Sequence, residues 1–355
     1  MITRVAAIDC GTNSIRLLIA DLNPGVEGGR PAGLAEPKSG HPERDHGSTG
    51  PGHSSPLTDV TRQMRIVRLG EGVDRTGRLA EAALDRTMTA LREYAGLIAD
   101  AKPAALRMVA TSATRDAANS QEFTDRVFDI LGRAPEVITG DEEAWLSFMG
   151  ATRELASTPL AGECLPPYLV TDIGGGSTEF VLGGTDEANA HRQVSRGQIQ
   201  GRSVNIGCVR LTERHLHGDP PLPAEIAATI RDIDEALGQA AAAVPAEKAR
   251  TLVGLAGSVT TVGAIALGLD AYDSARIHHS RISAARVHEI ASSLLAMTRA
   301  ERAAIPVMHP GRVDVIGAGA LILDRIMSRF GFAEVLVSEH DILDGIAWSL
   351  VPAGS

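Results

Sequence analysis

Two copies of one short pattern place an aspartate and a glycine turn directly after an apolar strand. The first copy is Asp9 followed by residues 10–14, and the second is Asp172 followed by residues 173–178. Glycine allows the main chain to approach a phosphate closely, and successive N–H groups in such a turn form an anion-binding nest. The repeated pattern therefore predicts two related lobes, each presenting a carboxylate and a phosphate-binding turn to a shared cleft.

The two aspartates also suggest a cation. A hard cation such as Mg²⁺ takes one or two carboxylates together with phosphate oxygens of the substrate and water. The sequence contains no GxxxxGK[ST] run, and the glycines at 174–176 lack the GxGxxG spacing. Neither a Walker-type loop nor a dinucleotide-binding fingerprint is therefore indicated.

Strands alternate with helices in both halves of the chain, which indicates an α/β fold. Helices are predicted where apolar residues recur at helical spacing, over 84–98, 123–130, 226–237 and 287–294, with an acidic helix start at 141–144 and a closing helix at 341–350. Strands are predicted at 5–8, 15–20, 64–69, 106–110, 136–138, 168–171, 179–182, 252–255 and 335–338.

Residues 23–56 differ from the rest of the chain, because they hold eight glycines, six prolines and almost no large apolar side chain. Such a segment cannot bury enough apolar surface to offset its ordering entropy, so it is predicted to be a disordered insertion. Its three histidines have no regular spacing that would indicate a metal site.

The composition excludes several classes of partner. With 34 basic and 44 acidic residues, the chain carries a net charge of −10, which argues against binding nucleic acid or an anionic membrane over a broad surface. Its three cysteines lack a CxxC spacing, so we expect neither a disulfide framework nor a zinc cluster. We therefore expect a cytoplasmic location. The longest uncharged stretch, 253–269, is interrupted by glycines and reads as a buried strand, turn and helix rather than a membrane span.

Four motifs follow one another in a specific order: residues 7–17 (AIDCGTNSIRL), 111–117 (TSATRDA), 140–144 (GDEEA) and 172–179 (DIGGGSTE). Together they resemble the exopolyphosphatase/guanosine pentaphosphate phosphohydrolase family over nearly the whole chain outside the insertion. The resemblance implies a duplicated, two-lobed α/β fold of the actin-like, ribonuclease H-like kind. It places residues 1–138 and 341–355 in the first lobe and 139–340 in the second.

The resemblance also implies roles for individual residues. Glu143 is expected to be the catalytic base that activates water, while the neighbouring Glu142 supports the helix start; motif matching alone favours Glu143. Asp172 is expected to bind the metal, Mg²⁺ or Mn²⁺, with Asp9 as its counterpart in the first lobe. The residues expected to bind phosphate are Cys10, Gly11, Thr12, Asn13, Ser14, Arg115, Gly174, Gly175, Gly176, Ser177 and Thr178.

The activity implied by the resemblance is metal-dependent hydrolysis of the terminal phosphoanhydride of inorganic polyphosphate, and the family commonly forms homodimers. Hydrolysis of pppGpp to ppGpp remains open, as do an actin-like kinase and a non-catalytic polyphosphate sensor. Short polyphosphate is favoured, because the chain is acidic, has only three lysines and lacks the C-terminal extension of longer relatives. The arginines that could guide a polyanion are Arg65, Arg68, Arg75, Arg78 and Arg210.

Overall fold

The computed structural model describes residues 2–23, 56–153, 155, 164–184 and 199–350. Within these ranges the helices pack on two mixed β-sheets. The elements of the first part of the chain are β1 (Thr3–Cys10), β2 (Ser14–Leu22), β3 (Leu57–Ile66), α1 (Val73–Thr76), α2 (Glu81–Ala101), β4 (Ala105–Ala110), α3 (Ser112–Asp116), α4 (Ser120–Leu131), β5 (Glu136–Val137) and α5 (Gly140–Thr152).

The second part of the chain begins with a strand hairpin and ends with a helix. Its elements are β6 (Tyr168–Ile173), β7 (Thr178–Gly183), β8 (Gln200–Val204), α6 (Cys208–His215), α7 (Pro223–Ala243), β9 (Thr251–Leu255), α8 (Ala256–Ala266), α9 (Ser274–Ile277), β10 (Arg281–Ser283), α10 (Ala284–Ala296), α11 (Arg299–Ala303), α12 (Ile316–Phe330), β11 (Glu334–Val337) and α13 (Ile342–Trp348).

The two sheets share one topology. The strand order of the first sheet is β3-β2-β1-β4-β5, and the second sheet repeats it as β8-β7-β6-β9-β11, with β10 added at its far edge. In both sheets the first three strands in sequence pair antiparallel. On the other side of the central strand, β4 and β5 in the first sheet and β9 and β11 in the second pair parallel, while β10 pairs antiparallel with β11. The predicted α/β fold and its duplication are therefore confirmed.

The first sheet is covered on both faces, which explains why most of β1 is buried. One face packs on α2 and α4 through residues such as Leu84 and Phe123. The other face packs on α13 through Ile346 and Trp348, although α13 is the last helix of the chain. We propose the lobe boundaries near residues 139 and 341, and the packing of α13 on the first sheet supports this division. The first lobe contains the first sheet, and the second lobe contains the second sheet.

The β2–β3 hairpin contains the predicted insertion, of which residues 24–55 lie outside the described residues. At the base of the hairpin, the Asn23 N–H donates to the Pro56 carbonyl at 2.9 Å, and Leu22 pairs with Leu57. The strand predicted at 64–69 was wrong in its bounds, because β3 occupies Leu57–Ile66. This strand lies at the sheet edge and is largely exposed and polar, so its first half carries a weak apolar signal. None of the described helices combines the length and the apolar character that crossing a bilayer requires.

Candidate active site

The two glycine turns meet across one open cleft of about 780 Å³, a volume that includes solvent at its mouth. The turns lie very close together: a Cβ atom added at Gly175 would lie 2.9 Å from the Cβ of Thr12. The predicted site residues that line the cleft are Asp9, Gly11, Thr12, Asn13, Ser14, Glu143, Asp172, Gly174, Gly175 and Ser177.

In the first turn, backbone amides from outside the cleft hold the carbonyl groups. The Gly70 N–H donates to the Thr12 carbonyl at 2.8 Å, and the N–H groups of Val67 and Arg68 donate to the Asn13 carbonyl at 3.0 and 2.9 Å. Because a trans peptide directs its N–H away from its carbonyl, the amides that follow Thr12 and Asn13 face the opposite side, where the cleft lies.

The second turn repeats this arrangement. The Cys208 N–H donates to the Gly174 carbonyl at 3.0 Å, and the N–H groups of Val209 and Arg210 donate to the Gly175 carbonyl at 2.9 and 3.0 Å. These donors begin α6 after β8, just as the donors of the first turn follow the equivalent strand β3. Both turns thus direct successive amides to one cleft, which is the geometry of an anion nest.

The two aspartates differ in what faces them across their hairpins. Asp9 pairs in register with Arg16, whose Nη2 contacts its Oδ2 at 2.6 Å and whose Nη1 contacts Asp341. Asp172 pairs in register with a second carboxylate, Glu179, which is 1% exposed. The hydroxyl of Ser147 donates to Asp172 Oδ2 at 2.7 Å. The first hairpin therefore compensates its aspartate with an arginine, and the second does not.

Burial and mutual repulsion dominate the electrostatics of the second hairpin. Burial, together with the nearby Glu179, raises the pKa of Asp172 to about 8. Burial also raises the pKa of Glu179. Burial and, to a lesser extent, the negative charge of Glu179 hold the pKa of Glu143 well above its usual value. Asp172 and Glu143 line the cleft, and Glu179 lies beside Asp172 in the hairpin. Buried carboxyls with raised pKa values form an environment that a cation would stabilise.

Glu143 and Glu142 occupy different environments at the start of α5. Thr139 caps this helix by accepting a hydrogen bond from the Glu142 N–H. The Glu143 side chain turns into the cleft, where Arg115 contacts its Oε2 at 3.1 Å. The Glu142 carboxylate instead contacts Arg107 at 2.6 Å and is 29% exposed. The geometry therefore supports the assignment of the base to Glu143 rather than Glu142.

The family of this chain is identified by its similarity to known proteins. The sequence profile described as the Ppx/GppA phosphatase family matches residues 48–353. The chain belongs to the Ppx/GppA phosphatase family. Membership in this family confirms the predicted hydrolase class and the resemblance on which it was based.

Two of the similar proteins align with nearly the whole chain, and a more distant one aligns with part of it. Exopolyphosphatase 2 of Mycobacterium tuberculosis is 48% identical over 358 residues, which cover 98% of this chain and 99% of that protein. The crystal structure of an exopolyphosphatase-like protein has a TM-score of 0.82 and 41% identity, covering 97% of this chain and 98% of that one. The guanosine-5'-triphosphate,3'-diphosphate pyrophosphatase of Aeromonas salmonicida is 28% identical over 83% of this chain and 55% of that protein.

Four of the residues predicted to bind phosphate in this family member do not line the cleft. Cys10 is buried in the core between β1 and α2, and burial raises the pKa of its thiol. The Thr178 hydroxyl donates to the Ile206 carbonyl at 2.7 Å. Gly176 packs against Ser112 and Thr12 of the first lobe. Arg115 contacts the Glu143 carboxylate without lining the cleft itself. Alternation along the strands explains Cys10 and Thr178, because a side chain next to one that faces the cleft faces the core.

The cleft of this Ppx/GppA protein also includes residues that the sequence analysis did not assign. Arg16 lines the cleft, and Glu179 occupies the equivalent position of the second hairpin beside Asp172. In both cases the sequence signal is a charged residue inside an apolar strand. Small residues at the junction of β9 and α8 also line the cleft, as do the residues that follow β4. The further lining residues include Thr111, Ser112, Ala256, Gly257, Ser258 and Arg312.

Three of the five arginines expected to guide a polyanion are engaged in ion pairs. Arg65 pairs with Glu93, and Arg68 crosses to Asp314 at 2.8 Å. Arg210 is bound by two aspartates of the first lobe. These three side chains therefore do not form the free basic track that a long polyanion would follow.

Proposed function

We propose that this protein is an exopolyphosphatase that hydrolyses the terminal phosphoanhydride of inorganic polyphosphate. The observation that carries the proposal is the pair of opposed turns, whose carbonyls are held from behind so that their amides face one cleft beside Glu143 and Asp172. The full-length alignment with a relative named exopolyphosphatase supports the same substrate. A second candidate, hydrolysis of pppGpp, is supported by the more distant Aeromonas relative.

In the proposed reaction, the amides of the two turns bind the oxygens of the terminal phosphate and stabilise the charge that develops on them. Glu143 accepts a proton from the attacking water, whose oxygen forms the new bond to phosphorus. The bond from phosphorus to the bridging oxygen breaks, and the shortened chain leaves with that oxygen and its electron pair. The contact of Arg115 with Glu143 Oε2 lowers the pKa of Glu143 against the larger effect of burial, and so favours the ionised form that a base requires.

The donor set around Asp172 fits a divalent cation, Mg²⁺ or Mn²⁺. Two buried carboxylates, Asp172 and Glu179, face each other in register with no arginine between them. Among the described residues no cluster of three or more ligating side chains is present, which is compatible with Mg²⁺ because it keeps several waters and substrate oxygens. When bound, the cation would neutralise charge on the phosphate oxygens. We assign its ligands to Asp172 and Glu179, since Arg16 already occupies Asp9.

The experiment that tests the proposal is phosphate release by the purified protein with Mg²⁺ on tripolyphosphate, long polyphosphate, pppGpp and ATP. We expect release from tripolyphosphate and long polyphosphate. Faster turnover of pppGpp would transfer the assignment to the second candidate. ADP formed only with an added acceptor would indicate a kinase, and binding without release would indicate a sensor. The homodimer and the cytoplasmic location stay predictions.

A further inference from the structure

We propose that Arg210 is a positioning residue that fixes the orientation of the second phosphate-binding turn and ties that turn to the first lobe. The inference rests on the proposed function, because this turn is the one that would hold the terminal phosphate. Arg210 lies on α6, its side chain is 11% exposed, and it does not line the cleft itself. Any effect on the reaction must therefore act through its neighbours.

Each nitrogen of the Arg210 guanidinium contacts a different part of the chain. Nε donates to the Gly176 carbonyl at 2.7 Å. Nη1 donates to Asp74 on α1, and Nη2 donates to Asp116 Oδ2 at the end of α3 at 2.6 Å. The backbone N–H of Arg210 additionally donates to the Gly175 carbonyl at 3.0 Å. One residue thus holds two consecutive carbonyls of the turn and two carboxylates of the other lobe.

The contact with Gly176 sets the direction of the next amide. Because the peptide is planar and trans, a carbonyl that points to Arg210 directs the N–H of Ser177 the opposite way, and Ser177 lines the cleft. Glycine has wide conformational freedom, so the sequence of the turn alone does not fix this peptide. The packing is close as well: a Cβ atom added at Gly176 would lie 2.6 Å from Ser112 Oγ.

The contact with Asp116 extends this positioning to the proposed base. Asp116 directly follows Arg115, and Arg115 contacts Glu143 Oε2 at 3.1 Å. The ion pair between Arg210 and Asp116 therefore fixes the end of α3 relative to the turn. Arg210 in this way sets the distance between the amides that bind phosphate and the side chain that holds the base.

The chain offers a matched control on the same helix. Arg214 lies one turn after Arg210 and contacts the same Asp74 at 2.8 Å, with its other contact to Asp232 at 2.9 Å. Neither contact involves the glycine turn or Asp116. Replacing Arg214 by glutamine removes an arginine and an interlobe ion pair but leaves the turn with all its donors.

The experiment compares Arg210→Gln, Arg210→Lys and Arg214→Gln with the natural protein, using tripolyphosphate and Mg²⁺. We expect both Arg210 variants to lose about tenfold in affinity or in kcat/KM, the effect of one lost hydrogen bond to a charged group, while Arg214→Gln keeps both. Lysine retains the charge for Asp74 and Asp116 but lacks the Nε donor. Hydrogen exchange of the peptide spanning 174–178 reports on the turn directly: tripolyphosphate should protect it in the natural protein and in Arg214→Gln, but not in the Arg210 variants.

Equal losses in Arg210→Gln and Arg214→Gln, or full activity in Arg210→Lys, would overturn the proposal. If Arg210→Gln does not fold, Arg210→Lys carries the same comparison. Failure of the proposed function has a different outcome, since the natural protein would then release no phosphate from tripolyphosphate. Binding and exchange would still separate Arg210 from Arg214 in that case, because neither measurement requires turnover.

Discussion

Asp172 lies directly opposite Glu179 in the β6–β7 hairpin, whereas Asp9 lies opposite Arg16 in the equivalent β1–β2 hairpin. Like charges that face each other across a strand pair are destabilising, and burial increases the cost. The cleft is therefore asymmetric, with an aspartate–arginine ion pair in one hairpin and two facing carboxylates, each accepting a hydrogen bond from a serine hydroxyl at 2.7 Å, in the other.

Glu143→Gln should fold and bind tripolyphosphate but lose turnover by about 10²–10⁴-fold, the usual contribution of a general base. Phosphate release and calorimetric binding measured on the same preparation check this. The control is Glu142→Gln, which breaks the contact with Arg107 at the protein surface and should retain most of its activity. An inactive Glu142→Gln beside an active Glu143→Gln would move the base by one residue.

Asp172→Asn and Glu179→Gln should both raise the Mg²⁺ concentration required for half-maximal activity, because each removes a carboxylate from the proposed cation site. Asp9→Asn is the comparison: it removes a partner of Arg16 and should lower the free energy of unfolding while the required Mg²⁺ concentration stays the same. Titration of activity with Mg²⁺ in a chelator-treated preparation measures this. Full activity of the natural protein in excess chelator would contradict the prediction.

Without divalent cations the protein should become less stable as the pH rises. The pKa of Asp172 is raised to about 8 in the folded state from 3.8, so the folded protein holds this proton more tightly than the unfolded chain does. Between about pH 4 and 8 the unfolded chain has lost this proton while the folded protein retains it. A rise in pH over this range therefore lowers the free energy of unfolding, by at most about 1.4 kcal/mol per pH unit for one proton. Denaturant unfolding with a chelator at several pH values tests the sign. Asp172→Asn should flatten the dependence, and a stability that increases over this range would refute it.

Replacing residues 25–55 by a short Gly/Ser linker should change stability and turnover little. The hairpin is already closed by the hydrogen bond from Asn23 to Pro56 and by the pairing of Leu22 with Leu57. Loop-closure entropy changes by only about 0.6 kcal/mol for each doubling of loop length. Melting temperature and phosphate release measure the effect, and a variant whose linker also replaces 56–59 serves as the destabilised control. A large loss in the first variant would show that the segment contributes to folding or catalysis.

Long polyphosphate should be shortened gradually rather than in one binding event. Processive hydrolysis requires basic surface beyond the cleft, and ion pairs occupy three of the arginines expected to supply it. Surface charges that remain are screened over about 8 Å at physiological ionic strength. Gel analysis of a long-chain substrate should therefore show a ladder of intermediates. Direct conversion of full-length chains to phosphate would show that the argument from charge is wrong.

The amino-acid sequence by itself determined the local features of this protein. The hairpins at Asp9 and Asp172, the acidic start of α5 and the α/β alternation follow from short patterns of apolar residues, glycine and charge, and the structure has all of them. α12 was not predicted because its first eight residues, 316–323, are all buried and contain no polar side chain, so a polar face marks only the second half of the helix. The bounds of β3 were predicted wrongly because this strand is largely exposed and few apolar residues mark its first half.

Only the tertiary structure decided which groups meet. The carbonyl of Gly174 is held by the amide of Cys208, and Asp9 shares Arg16 with Asp341 at the other end of the chain. No local pattern encodes such partners, because they depend on the register of strands and on the packing of helices far apart in sequence. Those long-range contacts turn two flexible glycine turns into oriented amides, since a peptide takes a fixed direction only when something outside the turn binds its carbonyl.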